Sequence, residues 1–151
     1  MKQMTVIRSI AFMLAGALVL AGADLPEMKV FKTSTCGCCS KWVEHVKASG
    51  FTVTVQDVPG TAAYRLQYGV PNNLQSCHTA VVGGYAIEGH VPVREIKRLL
   101  KERPKVKGLA VPGMPAGSPG MEGSRSDAYS VIAFDAAGHG SVYQKYAGSR
   151  D

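Results

Sequence analysis

The sequence lacks a hydrophobic run long enough to cross a membrane at ease. Its one extended apolar segment, Ile10 to Leu20, falls short of the roughly 20 residues that a bilayer core requires. It also lacks a cysteine where a lipoprotein signal would want one, since Leu20-Ala21-Gly22 is followed by Ala23. Charge of one sign is scarce. The formal net charge is +6, and Lys2 and Arg8 supply two of those charges, leaving +4 for the rest of the chain. The basic residues gather in Arg94 to Lys107, interleaved with Glu95 and Glu102. That mixture reads as the solvated face of a helix, and no nucleic-acid partner is expected. Internal repeats are absent, and 151 residues suit one compact domain. The four cysteines are not spaced evenly, as a stapling framework would have them.

What the chain does have begins at its start. Lys2 and Arg8, the apolar run, and the small residues Ala21-Gly22-Ala23 follow the layout of a secretory signal peptide. Residues 1–23 are therefore read as a signal peptide cleaved near Ala23–Asp24, and residues 24–151 as one domain. An uncleaved anchor is the alternative for the same run. After cleavage no stable membrane insertion is expected, and the domain is placed outside the cytoplasm, in the periplasm.

Three of the cysteines crowd into Thr35-Cys36-Gly37-Cys38-Cys39, where a strand is expected to give way to a helix. A thiol there feels the positive end of the helix dipole and the unpaired N–H groups of the first turn, which favour thiolate. Exported cysteines form disulfides by default, yet adjacent Cys38 and Cys39 rarely satisfy disulfide geometry together. Clustered sulfurs point to chemistry: a soft-metal nest, or a thiol–disulfide centre on the C-x-x-C pair Cys36 and Cys39, or, least in keeping with the clustering, a structural disulfide.

The elements follow from periodicity and turn residues. A strand is expected over Met28–Ser34. Cys39, Trp42, Val43 and Val46 recur at helical spacing, ending at Ser49-Gly50. Phe51–Val58 alternates apolar and polar residues, a half-buried second strand. A short helix covers Thr61–Tyr68. Thr79–Val82 and Tyr85–Ile87 form a hairpin about Gly83-Gly84, and Pro92 opens a helix over Val93–Arg103. The order β-α-β-α-β-β-α matches a thioredoxin-like α/β domain. The Gly/Pro-rich passage 108–123 follows, then a hairpin from Tyr129–Phe134 to Ser141–Tyr146, folding back on the core.

In a thioredoxin-like fold, the loop before the hairpin and the turn after it approach the first helix. The register puts Cys77 and His78 in one and Glu88-Gly89-His90 in the other. Oxidoreductases of this fold carry a proline where His78 stands. A thiol, one or two imidazoles and the three clustered cysteines then form a donor set for soft cations: Cu(I), zinc or iron–sulfur clusters. Met114 and Met121, in a Gly/Pro loop, add thioethers that favour Cu(I). Bridging thiolates would let several Cu(I) ions share these groups. His45 and His139 read as exposed, and Trp42 as core.

The segments Thr33–Cys39, Ser76–Val82, Glu88–Pro92 and Gly108–Glu122, with C-G-C-C, S-C-H-T-A, E-G-H-V-P and P-G-M-P-x-G-S-P-G-M-E, resemble the CopG-type family of exported bacterial copper-resistance proteins. The likeness spans nearly the whole chain after residue 23. It implies a thioredoxin-like fold, a copper–thiolate cluster on Cys36, Cys38, Cys39 and Cys77, and copper handling in the periplasm alongside other copper-handling proteins. A redox role between Cu(I) and Cu(II) is also suggested for the family, which leaves open whether the protein is a copper oxidoreductase or a binding protein. His78, His90, Met114 and Met121 are the candidates to complete the site. A thiol–disulfide oxidoreductase using Cys36 and Cys39 is the runner-up. A structural zinc site fits the methionines less well, and the usual iron–sulfur spacings are missing.

Overall fold

The hairpin Thr79–Val82 (β3) to Tyr85–Glu88 (β4) sits near the middle of the molecule and explains much of its layout. Its two turn residues, Gly83 and Gly84, have φ of 56° and 88°, the paired left-handed conformation that a two-residue hairpin turn needs. The computed structural model describes residues 24–149. The expected signal peptide over 1–23 therefore lies outside the described residues.

Around that hairpin the chain forms a mixed α/β structure with one seven-stranded sheet in the order β2-β1-β3-β4-β5-β6-β7. β1 is Met28–Lys32, β2 Val53–Asp57, β5 Gly108–Ala110, β6 Tyr129–Phe134 and β7 Gly140–Tyr146. Two pairs are parallel, β1 with β2 and β4 with β5. Parallel neighbours require a crossover, and helices α1 (Gly37–Ala48) and α3 (Val93–Glu102) supply one each. A short α2, Ala62–Tyr68, ends at Gly69 in the left-handed conformation, the usual device for stopping a helix. Among the described residues no helix is long and apolar enough to cross a membrane.

The core lies between the sheet and the helices. α1 buries Cys39, Trp42, Val43 and Val46, the expected stripe. These pack with Val30, Ala80, Ile87, Ile96, Leu99 and Leu109. At about 25 cal/mol per Å² of apolar area, each large buried side chain contributes about 2 kcal/mol.

Three expectations need correction. β2 is not half-buried: Val53 is partly covered and Thr54 to Asp57 are exposed. It is the sheet edge, and of its residues only Val53 packs on the core. The 108–123 passage does not begin as a loop. Gly108–Ala110 is a strand that joins the last hairpin to the main sheet. Gly108 is required there because a Cβ would collide with the carbonyl of Ala86.

The charge run on α3 is not simply solvated. Glu95 is fully buried and accepts hydrogen bonds from Arg94 Nε at 2.9 Å and the Tyr146 hydroxyl at 3.0 Å. Arg98 lies 3.7 Å over the Tyr143 ring and donates to the Tyr143 carbonyl at 2.9 Å. The β6–β7 hairpin covers this face and turns charge into packing.

Candidate metal centre

The first arm of the site is the start of α1. Cys36 is its N-cap, with an extended backbone and no capping side-chain bond. The first helical bond runs from Ser40 N–H to Cys36 O. The N–H groups of the first turn therefore have no intrahelical partners. Cys39 points into the core, while Cys36 and Cys38 are partly exposed.

The second arm is the entry to β3, and a buried carboxylate shapes it. Glu88 accepts from Ser76 N–H at 2.7 Å and from Thr79 Oγ1 at 2.6 Å, gripping the chain on both sides of Cys77 and His78. Arg65 Nη1 lies 3.8 Å from Oε1, the oxygen that accepts from Ser76, while Thr79 donates to Oε2. Burial pushes the Glu88 carboxyl up, against the two hydrogen bonds and Arg65, which pull it down.

The third arm is the turn after β4. Gly89 has φ 71°, and a Cβ there would come 2.7 Å from Val111 O. Only glycine lets the chain turn so tightly and deliver His90 inward. His90 Nδ1 lies 2.7 Å from Pro119 O. A carbonyl can only accept, so Nδ1 keeps its proton and Nε2 of the neutral ring carries the lone pair. That lone pair faces Cys77 Sγ at 3.0 Å.

These arms converge. The sulfurs of Cys36, Cys38, Cys39 and Cys77 all lie within 4.8 Å of one another. Cys77, His78 and His90 form a second group within the same limit. Cys77 belongs to both. Cys36 and Cys39 are joined as a disulfide, whereas Cys38 and Cys77 are free. The C-x-x-C pair is thus the bridged pair.

Burial sets the protonation of this pocket. It pushes the Cys77 thiol up to about 11, helped by the neighbouring Cys38 and opposed by Ser76. It pushes His78 down to about 3, with His90 adding to the effect. His90 is lowered as well, chiefly by burial. Both rings are neutral and fully buried, which is the form that binds a metal. His78 packs tilted against Trp42, with ring centroids 4.4 Å apart, and its Nε2 has no hydrogen-bond partner.

The methionine loop lies against the site through its backbone. A Cβ on Gly120, with φ 88°, would come 2.7 Å from Cys38 O and 2.9 Å from Trp42 N. Met121 is half-buried and Met114 is 54% exposed. Sequence reasoning missed the clamp that holds this loop. Glu122 accepts from His45 Nε2 at 2.6 Å and from Gly120 N–H at 2.9 Å. His45 is about half exposed, as expected, but it is not idle. Glu88 was missed too, because a single glutamate in a strand carries no sign of burial. His139 bonds Asp135 in its own turn and belongs to neither donor group.

The chain is similar to solved structures of a copper-resistance protein. Copper resistance protein copG, form 1, matches with 44% identity and a TM-score of 0.77, covering 82% of this chain and 99% of that one. The chain belongs to the CopG family of copper-resistance proteins. Form 2 of the same protein matches equally well, at 44% identity and TM-score 0.77 over 81% of this chain and 98% of that one. A family described as a protein of unknown function, DUF411, matches residues 74–121. That stretch carries Cys77, His78, His90 and both loop methionines, so three of the four CopG-like segments fall wholly or largely within it. A comparison with curated proteins finds no match.

Proposed function

We propose that this protein is an exported copper-binding protein that holds Cu(I) in a thiolate-bridged cluster and contributes to copper resistance in the periplasm. One observation carries the proposal: four sulfurs from two distant segments lie within 4.8 Å of one another. Soft thiolates select Cu(I) over hard cations, and four of them close together can bridge several ions. Exchange of the Cys36–Cys39 bond with an external dithiol, which leaves as its own disulfide after giving up two electrons and two protons, supplies the two missing thiols, and each loses its proton on binding Cu(I). His78, His90, Met114 and Met121 are the groups that complete coordination, and Cu(I)/Cu(II) conversion is the redox step such a site could host. Copper ions are the cargo, and other periplasmic copper-handling proteins are the expected donors and acceptors. The unit β1 to α3, with β2-β1-β3-β4 strand order, parallel β1/β2 and antiparallel β3/β4, supports the thioredoxin-like assignment.

The test is an anaerobic Cu(I) titration of the reduced protein against a competing chelator. More than one tightly held ion per chain is expected, with a clear drop in Cys38→Ser. Fewer than one ion, or no change in that variant, overturns the proposal.

The Cys36–Cys39 disulfide favours a second function, thiol–disulfide exchange. That activity would survive Cys38→Ser and Cys77→Ser, which the copper cluster would not. Reduction of a disulfide substrate by each variant separates the two.

A further inference from the structure

The two donor groups overlap at one atom, and the disulfide affects only one of them. With Cys36 and Cys39 bridged, the four-sulfur group loses two of its thiols. The group of Cys77, His78 and His90 loses none. We propose that the bridged form of the protein holds a single divalent cation of the zinc or copper(II) class on Cys77 Sγ and the two imidazoles. The site shares Cys77, His78 and His90 with the cluster proposed above and rests on the same reading of them as metal ligands, but it does not need the four-sulfur cluster to form.

Several features point to a cation here. His90 is preset as a ligand: its Nδ1–H is held by Pro119 O at 2.7 Å, the outer contact that metal-binding histidines generally make. The lone pair on Nε2 is left aimed at Cys77 Sγ, 3.0 Å away. His78 brings Nδ1 to 3.5 Å from the same sulfur. Its opposite nitrogen, Nε2, is buried with no partner, and the ring itself is fully buried. On the side facing the site, Nδ1 meets only Cys77 Sγ, and sulfur is a weak hydrogen-bond partner. A cation bound at Nδ1 would give that nitrogen a strong partner in place of the weak sulfur, with the ring proton held on Nε2.

Size agrees as well. A tetrahedral ion with metal–sulfur about 2.3 Å and metal–nitrogen about 2.0–2.1 Å places its sulfur and nitrogen ligands about 3.5 Å apart. The His78 contact already matches, and the His90 contact has to open by about half an ångström.

One thiolate with two imidazoles is a borderline donor set. It suits Zn(II) and Cu(II), whereas the all-sulfur group suits Cu(I). Three protein ligands leave a fourth position for water or an incoming group. Binding forms the metal–sulfur bond and releases the Cys77 thiol proton to solvent, with no change of oxidation state. Closing or opening the Cys36–Cys39 bond thus changes which class of ion the pocket prefers.

Co(II) is the probe, because it reports sulfur ligation by a charge-transfer band. The protein is purified with the Cys36–Cys39 bond closed, checked by a count of two free thiols, and titrated with Co(II) without oxygen. One ion per chain is expected, with a sulfur-to-cobalt band that Zn(II) displaces. The band should persist in Cys38→Ser and vanish in Cys77→Ser. In His90→Gln and His78→Gln, affinity should fall at least about tenfold. Circular dichroism checks folding, and His90→Gln decides the matter should His78→Gln unfold. Binding of less than one ion, a band unchanged in His90→Gln, or a band lost in Cys38→Ser overturns the proposal. Failure of the reduced protein to gather Cu(I) would sink the cluster alone, and failure of the bridged protein to take Co(II) would sink this site alone.

Discussion

At the scale of single residues, the site depends on groups that never need to touch a metal. Glu88 is the clearest of these. It spans the backbone on both sides of Cys77 and His78 through Ser76 N–H and Thr79 Oγ1, and it is fully buried. Glu88→Ala leaves both donors without their acceptor, so a loss of about 3 kcal/mol is expected. Glu88→Gln should lose less, because an amide oxygen still accepts one bond. Urea denaturation measures both, and an Ala variant as stable as the parent would remove Glu88 from this role. The cysteines and both site histidines were legible in the sequence because their spacing and residue types carry a chemical meaning. Glu88, Glu122 and His45 were not. A carboxylate or imidazole looks the same in sequence whether it is solvated or clamped to a loop, and the clamp joins residues 77 positions apart.

At the scale of elements, the loop from Gly113 to Glu122 is fitted to α1 by backbone contact. Gly120 has φ 88° and no room for a Cβ against Cys38 O and Trp42 N. Gly120→Ala combines a strained conformation with a steric clash, and a loss of about 2 kcal/mol is expected. Because Pro119 O holds His90, the same change should loosen the histidine. Faster hydrogen exchange at His90 and through residues 113–122 is the expected signature; protection equal to that of the parent would count against the fitted loop. The elements themselves were mostly readable. α1, α2, α3 and both hairpins stand where periodicity and turn residues placed them, within one or two residues. β5 was not readable, because three residues at the head of the Gly/Pro-rich passage show no period, and only the neighbouring strands β4 and β6 make them a strand.

At the scale of the whole molecule, the C-terminal hairpin is an integral part of the sheet. It covers α3 through Tyr143, Tyr146 and the buried Glu95, and Tyr129 stacks on Tyr146 at 4.8 Å. Burial first, then Tyr146 and Glu95, push the Tyr129 phenol from 10.0 up to about 12. The fold therefore favours the neutral phenol. That contribution is complete below pH 10 and is lost as pH rises toward 12, where the unfolded chain has already ionised. The denaturant midpoint should fall across this window, and Tyr129→Phe should flatten part of the decline. A midpoint with the same alkaline slope in both proteins would show that the hairpin does not impose this burden.

The sequence alone determined which atoms are available for chemistry: three sulfurs at a helix start, a fourth beside a histidine, and thioethers in a Gly/Pro loop. Residue type sets softness and charge, and local spacing sets the helix and the turns, so these needed no distant partner. Tertiary structure decided how the donors divide. That Cys77 serves two groups, and that a proline carbonyl fixes the His90 proton, depend on separations of a few ångströms between segments far apart in the chain, whereas the Cys36–Cys39 bond is local to its own turn. Such distances are set by packing of the whole core around Trp42.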